Sequence, residues 1–203
     1  MIKRVYNIDA FHNALPKKNI HILDIGSGNF PLVKRKEYTD KITTIDFSKN
    51  IKSDYSFDVT KKWPKTIKNI DVVYISHCLE HFYPQDRDKV LQKIHGCLKK
   101  NGLLFIRVPH FSSFQATGLE HHTFYTSNAF HSLEFTKGNP NIPNFKIISV
   151  GLMNSSIDKF FTKRNIFQKL MDKILNISHR FSYNFMSKFI GGIDEVQCLL
   201  KKT

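Results

Sequence analysis

Gly26 and Gly28 stand two residues apart, directly after Ile22-Leu23-Asp24-Ile25. Glycines so spaced let a backbone turn sharply and approach a ligand with no Cβ in the way. The apolar run before them reads as a buried strand, so the turn falls at a strand's carboxyl end, where parallel sheets bind cofactors. A nicotinamide-type fingerprint needs a further glycine three residues on, but that position holds Pro31 and the fingerprint fails. An acid, Asp24, stands two residues before Gly26 instead. A carboxylate there suits a cationic ligand with an amino group, whereas a pyrophosphate needs a helix start. Asp46, 20 residues after Gly26, is spaced to reach the ribose hydroxyls of a nucleoside. Ser76 and His77 leave a later strand at the same end. The chain has ten histidines, side chains suited to proton transfer near neutral pH. His77, His81 and His110 follow strand ends, and His121 and His122 lie in the loop beyond. Of these, His110 and His121 are the catalytic candidates. His110, His121 and His122 with Glu120 do not make a standard ligand pattern, so no metal is expected.

The elements that must hold these residues alternate. Apolar spacing predicts a leading helix over Val5–Leu15 and a short one from Pro31 to Lys36. Strands are expected at Ile20–Ile25, Ile42–Asp46, Tyr55–Val59, Ile70–Ser76 and Leu103–Val108. Val90, Leu91, Ile94, Cys97 and Leu98 form one face of a helix over Asp86–Lys100, stopped by Asn101-Gly102. Strands alternating with helices predict an α/β fold, a doubly wound, mostly parallel, seven-stranded sheet with helices on both faces. Phe145–Met153 and Ile193–Leu200 complete it. Between them, residues 156–190 read as two amphipathic helices. The first carries Phe160, Phe167, Leu170, Met171, Ile174 and Ile177. The second carries Phe181, Phe185, Met186 and Phe189, ahead of Gly191-Gly192.

A length of 203 residues fits a single domain, 1–203, with 156–190 as an insert. No run is long and apolar enough for a transmembrane helix, and the N-terminus lacks the apolar core of a signal peptide. Cys78, Cys97 and Cys198 are widely spaced and form neither a disulfide framework nor a metal pair, as in a reducing cytoplasm. The net charge of +14 admits nucleic acid or an anionic membrane surface as partner, but it is spread without a polybasic block, and Lys, Ile and Asn are abundant throughout.

Ile22-Leu23-Asp24-Ile25-Gly26-Ser27-Gly28 resembles the first motif of class I S-adenosylmethionine-dependent methyltransferases. The stretch Asp71-Val-Val-Tyr-Ile-Ser-His-Cys-Leu-Glu-His81 resembles the fourth-strand motif of many small members. Leu98-Lys-Lys-Asn-Gly-Leu-Leu-Phe-Ile-Arg-Val-Pro109 resembles their helix stop and fifth strand. His121-His-Thr-Phe-Tyr-Thr126 resembles a His-x-x-Phe-Phe-Thr stretch of a bacterial subgroup linked with polysaccharide and lipid-glycan biosynthesis, although Gly118-Leu119-Glu120 replaces its usual Asp-Pro-x. The resemblance covers about residues 20–150 and implies S-adenosylmethionine as cofactor. It implies binding by Asp24, Gly26, Gly28, Asp46, Ser76 and His77, with Asp58 and its neighbour Val59 at the adenine. The acceptor it implies is small or lipid-linked, with a saccharide oxygen the first expectation. Two rivals stand beside it: an RNA methyltransferase, and a non-catalytic protein that keeps the cofactor fold. Strand four ends Ile-Ser-His-Cys, not in the Asn/Asp-Pro-Pro-aromatic motif of amino-group methylases, which counts against methylation of base amino groups. The insert is expected to be a helical lid packed through its apolar stripe, a wall of the acceptor pocket, or an amphipathic helix at the inner membrane face.

Overall fold

The computed structural model describes residues 20–29, 41–131, 143–154, 166–190 and 193–203. The expected helices at 5–15 and 31–36, with Phe160 and Gly191-Gly192, lie outside them. Seven strands form one sheet: β1 (His21–Ile25), β2 (Lys41–Asp46), β3 (Tyr55–Ser56), β4 (Ile70–Ser76), β5 (Leu98–Pro109), β6 (Phe145–Met153) and β7 (Glu195–Lys202). Their order is β3-β2-β1-β4-β5-β7-β6. β1 lies between β2 and β4, parallel to both, with Ile22 opposite Ile42 on one side and Val72 on the other. β7 runs antiparallel to β5 and β6. The chain leaves β1 in one direction along the sheet and later returns to β4 on the other, so the carboxyl ends of β1 and β4 open on a crevice.

β1 and β4 are apolar on both faces because both are covered. Leu23, Ile25, Val73, Ile75, Leu104 and Ile106 belong to one core cluster; Ile22, Val72, Tyr74 and Phe105 belong to another. The first cluster takes Val90, Leu91, Ile94 and Cys97 of α1 (Pro84–Cys97), the buried face its spacing predicts. α1 starts two residues before the expected Asp86, since proline at the first helical position already has helical φ and lacks only an N–H with no helical acceptor. It ends three residues before Lys100, because Leu98 turns extended (φ −69°, ψ 141°). Asn101, expected to stop the helix, instead takes φ 64° inside β5, within a register shift that carries β5 back into line with β4. β3 stops at Ser56, short of Val59: Asp58 Oδ1 accepts from the Thr60 N–H and hydroxyl at 2.8 and 2.7 Å, which curls the chain into a turn.

A short helix α2 (Ser127–His131) precedes β6. After it, α3 (Ile166–Ile177) docks on β6. Where a second amphipathic helix was expected, Ser178 caps a single turn, His179–Phe181, and the chain continues as a wider π-helix, Ser182–Ile190. The expectation of a lid packed through its apolar stripe is corrected here. Phe167 and Ile177 are 66% and 71% exposed and Leu170 is also exposed, while Asp172, Leu175 and Asn176 are buried. Of the predicted stripe, Met171 packs on the core. Asn176 explains the inversion. Its Oδ1 accepts from the Leu152 N–H at 2.8 Å, and its Nδ2 donates to the Leu152 and Asp172 carbonyls, each at 2.7 Å. Asp172 Oδ1 accepts from the Asn154 N–H at 2.9 Å. Backbone groups of an edge strand thus select the polar side of the helix.

Candidate functional site

A cleft of about 710 Å³ lies at the carboxyl ends of β1, β2 and β4. Gly26, Gly28, Asp46, Asp58, Val59 and His77 line it, six of the eight residues expected at a cofactor. Asp24 is buried behind them. Ser76 does not line the cleft; it follows Tyr74 by two, on the strand face opposite Val73 and Ile75.

The glycines do different work. Gly26 has φ 70°, and a Cβ there would stand 2.8 Å from Cβ of Cys78, so both conformation and proximity require glycine. Gly28 has φ 53° with open space at its Cβ position. Its N–H donates to Asp46 Oδ2 at 2.8 Å, while Ser48 N–H donates to Oδ1 at 2.9 Å. Asp46 thereby ties the β1 turn to the β2 turn and presents its remaining lone pairs to the cleft. At the far wall, burial opposes charge on Asp58, but its bonds from Thr60 and the nearby Lys61 and Lys93 outweigh this and lower its pKa. Both Thr60 bonds fall on Oδ1, which leaves Oδ2 to accept from a ligand. The Val59 carbonyl accepts from Trp63 Nε1 at 2.7 Å, and Lys93 of α1 donates to the carbonyls of Val59, Thr60 and Lys61. The loop is fixed from beneath.

His77 sits at φ 50°, and its N–H donates to the Arg107 carbonyl at 2.9 Å. Its Nε2 lies 3.0 Å from Glu195 Oε2 and its Nδ1 3.5 Å from Glu80 Oε1. Burial disfavours the imidazolium, yet the two carboxylates prevail and raise its pKa. Glu195 takes a two-point bond from Arg107, Nε to Oε1 at 2.8 Å and Nη2 to Oε2 at 2.6 Å. Burial pushes its pKa up, but Arg107 and His77 overcome this and hold it at about 2. Arg107 Nη1 also donates to the Tyr74 hydroxyl at 3.2 Å. Sequence reasoning missed Arg107 and Glu195. Charged residues inside otherwise apolar strands were the available signal.

Among the catalytic candidates, His110 is 1% exposed and does not line the cleft. Its Nδ1 is 2.8 Å from the Ser112 hydroxyl, and burial lowers its pKa to about 4. His121 is carried to the cleft's edge, because the loop holding it docks on the turn after β4. His122 and Thr123 N–H groups donate to the Glu80 carbonyl at 2.8 and 3.1 Å, and the Thr123 hydroxyl donates to the Phe82 carbonyl at 2.9 Å. His122 stacks on Tyr83 with centroids 4.0 Å apart. His121 meets His81 edge to face at 4.7 Å, and His81 and Glu120 line the cleft. The two candidates share no contact; His121 is joined to His81 and Glu80 instead. Sequence reasoning also gave no role to Phe47, 76% exposed at the cleft, or to Phe57, Cys78, Phe82 and Tyr83, which complete its walls.

The strand order, the glycine turn and the acids at the ends of β2 and β3 define a nucleoside-binding α/β enzyme. Residues 3–137 match the methyltransferase-domain family, and the chain belongs to that family. It is an S-adenosylmethionine-dependent methyltransferase. No curated protein sequence matches it significantly. Solved structures share its fold. A SAM-dependent methyltransferase from Archaeoglobus fulgidus has TM-score 0.62 and 16% identity over 96% of this chain and 91% of that one. One from Mesorhizobium loti has TM-score 0.55 and 13% identity over 96% of each. Phosphoethanolamine N-methyltransferase 2 of Haemonchus contortus, in complex with S-adenosyl-L-methionine, has TM-score 0.54 and 13% identity over 95% of this chain and 51% of its own length. The cofactor, S-adenosylmethionine, suits the cleft chemically: carboxylates for its hydroxyl and amino groups, an open Cβ position at Gly28 for close backbone approach, and aromatic walls.

Proposed function

We propose that the chain transfers a methyl group to an oxygen of a small or lipid-linked acceptor, a saccharide hydroxyl first. When bound, the cofactor supplies a methyl already activated on positive sulfur. The protein's part is to align the acceptor oxygen and to take its proton. The observation that carries this reading is the docking of the 121–125 loop on the turn after β4, which brings His121 and the buried Glu80 beside His81, a residue of the cleft wall. Such a group accepts or directs a hydroxyl proton. His110, behind the rim and neutral at pH 7, is proposed to position the acceptor wall through Ser112. Asp46 is assigned to the ribose hydroxyls, Asp58 and Val59 to the adenine, and the Gly26–Gly28 turn with His77, and Asp24 behind it, to the methionine end; Ser76, on the other strand face, is given no cofactor contact.

No helix among the described residues is long and apolar enough to cross a membrane. The exposed Phe167, Leu170 and Ile177 beside exposed Lys169, Lys173 and Arg180 support a peripheral contact with anionic lipid, as a lipid-linked acceptor at the inner face of the cytoplasmic membrane needs. Incubation with methyl-labelled cofactor and separate panels of saccharides, lipid-linked glycans and RNA tests the reading. Label on a saccharide oxygen is expected. Label on RNA, or none with any acceptor while the cofactor binds, would overturn it.

A further inference from the structure

We propose that Glu80, His81 and His121 form a binding site for a divalent first-row transition cation at the rim of the cleft. One ligand atom from each lies within 4.8 Å of the others. Bonds of about 2.1 Å to a shared cation place ligand atoms about 3–4 Å apart, so a modest inward swing of the side chains closes the site. Two further observations point to a ligand. Glu80 is 1% exposed, and neither of its carboxylate oxygens receives a hydrogen bond. The nearest described cation, His77, is 3.5 Å away and also serves Glu195. A buried carboxylate so placed calls for a positive partner. The imidazoles are also oriented as metal ligands usually are. His81 Nδ1 lies 3.2 Å from the Glu120 carbonyl and His121 Nδ1 3.3 Å from the Ala116 carbonyl. Donation from Nδ1–H fixes the tautomer that keeps the lone pair on Nε2.

Two imidazoles and one carboxylate favour manganese through zinc over magnesium, and leave coordination positions open. An acceptor oxygen in one of them would be held beside the cleft with its proton loosened. Cation binding rests on the geometry alone, while this use of it rests on the function proposed above.

The untagged full chain is titrated with Co²⁺, followed by its visible d–d absorption and by calorimetry, without cofactor or acceptor. One equivalent is expected to bind with a saturable band, at least about 10-fold tighter than Mg²⁺. Glu80→Gln and His121→Ala should each weaken binding at least about 10-fold, a loss that even an outer partner of a metal ligand can cause. His122→Ala should bind like wild type. Retained S-adenosylmethionine binding reports that a variant is folded. Absence of a saturable band in the wild type overturns the site whatever the variants do. So does weak binding shared equally by all four proteins, the mark of scattered surface histidines.

Discussion

At the carboxyl ends of β4 and β5 and the amino end of β7, buried charges answer one another: Tyr74, Arg107, Glu195 and His77 form a chain in which each group's partner is another side chain. On β6 the buried polar groups of α3 answer the backbone instead, and Phe167, Leu170 and Ile177 are left facing outward while Met171 and Leu175 pack inward. Both regions desolvate polar atoms, and both satisfy most of them. The first does so inside a sheet whose apolar residues already dictate the packing. In the second the hydrogen bonds set the orientation themselves. Hydrophobic pattern therefore predicts a buried face only where apolar burial drives the docking.

The sharpest way to break this contrast is Glu195→Gln. It leaves Arg107 charged and under-paired in the core and should cost about 3–5 kcal/mol, whereas replacing both Glu195 and Arg107 by apolar residues should cost far less. Urea unfolding of the single and double variants measures the difference. The same pair sets a pH signature. Glu195 is held at about 2 against an ordinary 4.5, so its stabilisation is whole above about pH 4.5 and drains away as pH falls toward 2. His77 is raised above 6.5, so its share is whole below pH 6.5 and is lost as pH rises through the folded value. Urea midpoints across pH should fall at both ends in wild type and flatten at the acid end in Glu195→Gln.

Asn176→Ala comes next. It strands the Leu152 N–H and carbonyl and should cost about 2–3 kcal/mol, more than any exposed apolar residue of the same helix. Thermal unfolding of this variant beside Phe167→Ser reads the inversion directly. Asp46→Ala should weaken S-adenosylmethionine binding at least about 10-fold, or about 1.4 kcal/mol, with little change in Tm. Calorimetry decides whether the acid's first duty is to the ligand or to the loops it ties. The smallest effect is expected for Phe167→Ser, within about 0.5 kcal/mol. A marked fall in its binding to anionic vesicles would show that the outward face serves lipid.

What the sequence made legible follows the same line. β4 and β6 match their expected limits because runs such as Ile70-Asp-Val-Val-Tyr-Ile-Ser76 have one reading when both faces are buried. Asp46, Asp58 and the two glycines reach one cleft because spacing within βα units is set by the sheet. The meeting of His121 with His81 was not legible, since it depends on a loop docked by backbone bonds to Glu80 and Phe82, which no periodicity records. Arg107 and Glu195 were hidden for a related reason: each looks like an interruption of its own strand, and only the antiparallel register of β5 and β7 brings the two strand ends together.

The Asn176 amide does for Leu152 what a neighbouring strand would do, offering one acceptor and one donor at the spacing of a backbone peptide. β6 is the outer strand of the sheet, and an outer strand with unmet N–H and carbonyl groups is a template for a second chain. A single side chain thus acts as a stop against edge-to-edge growth. Its removal should be felt twice, as lost stability in one molecule and as self-association that rises with concentration.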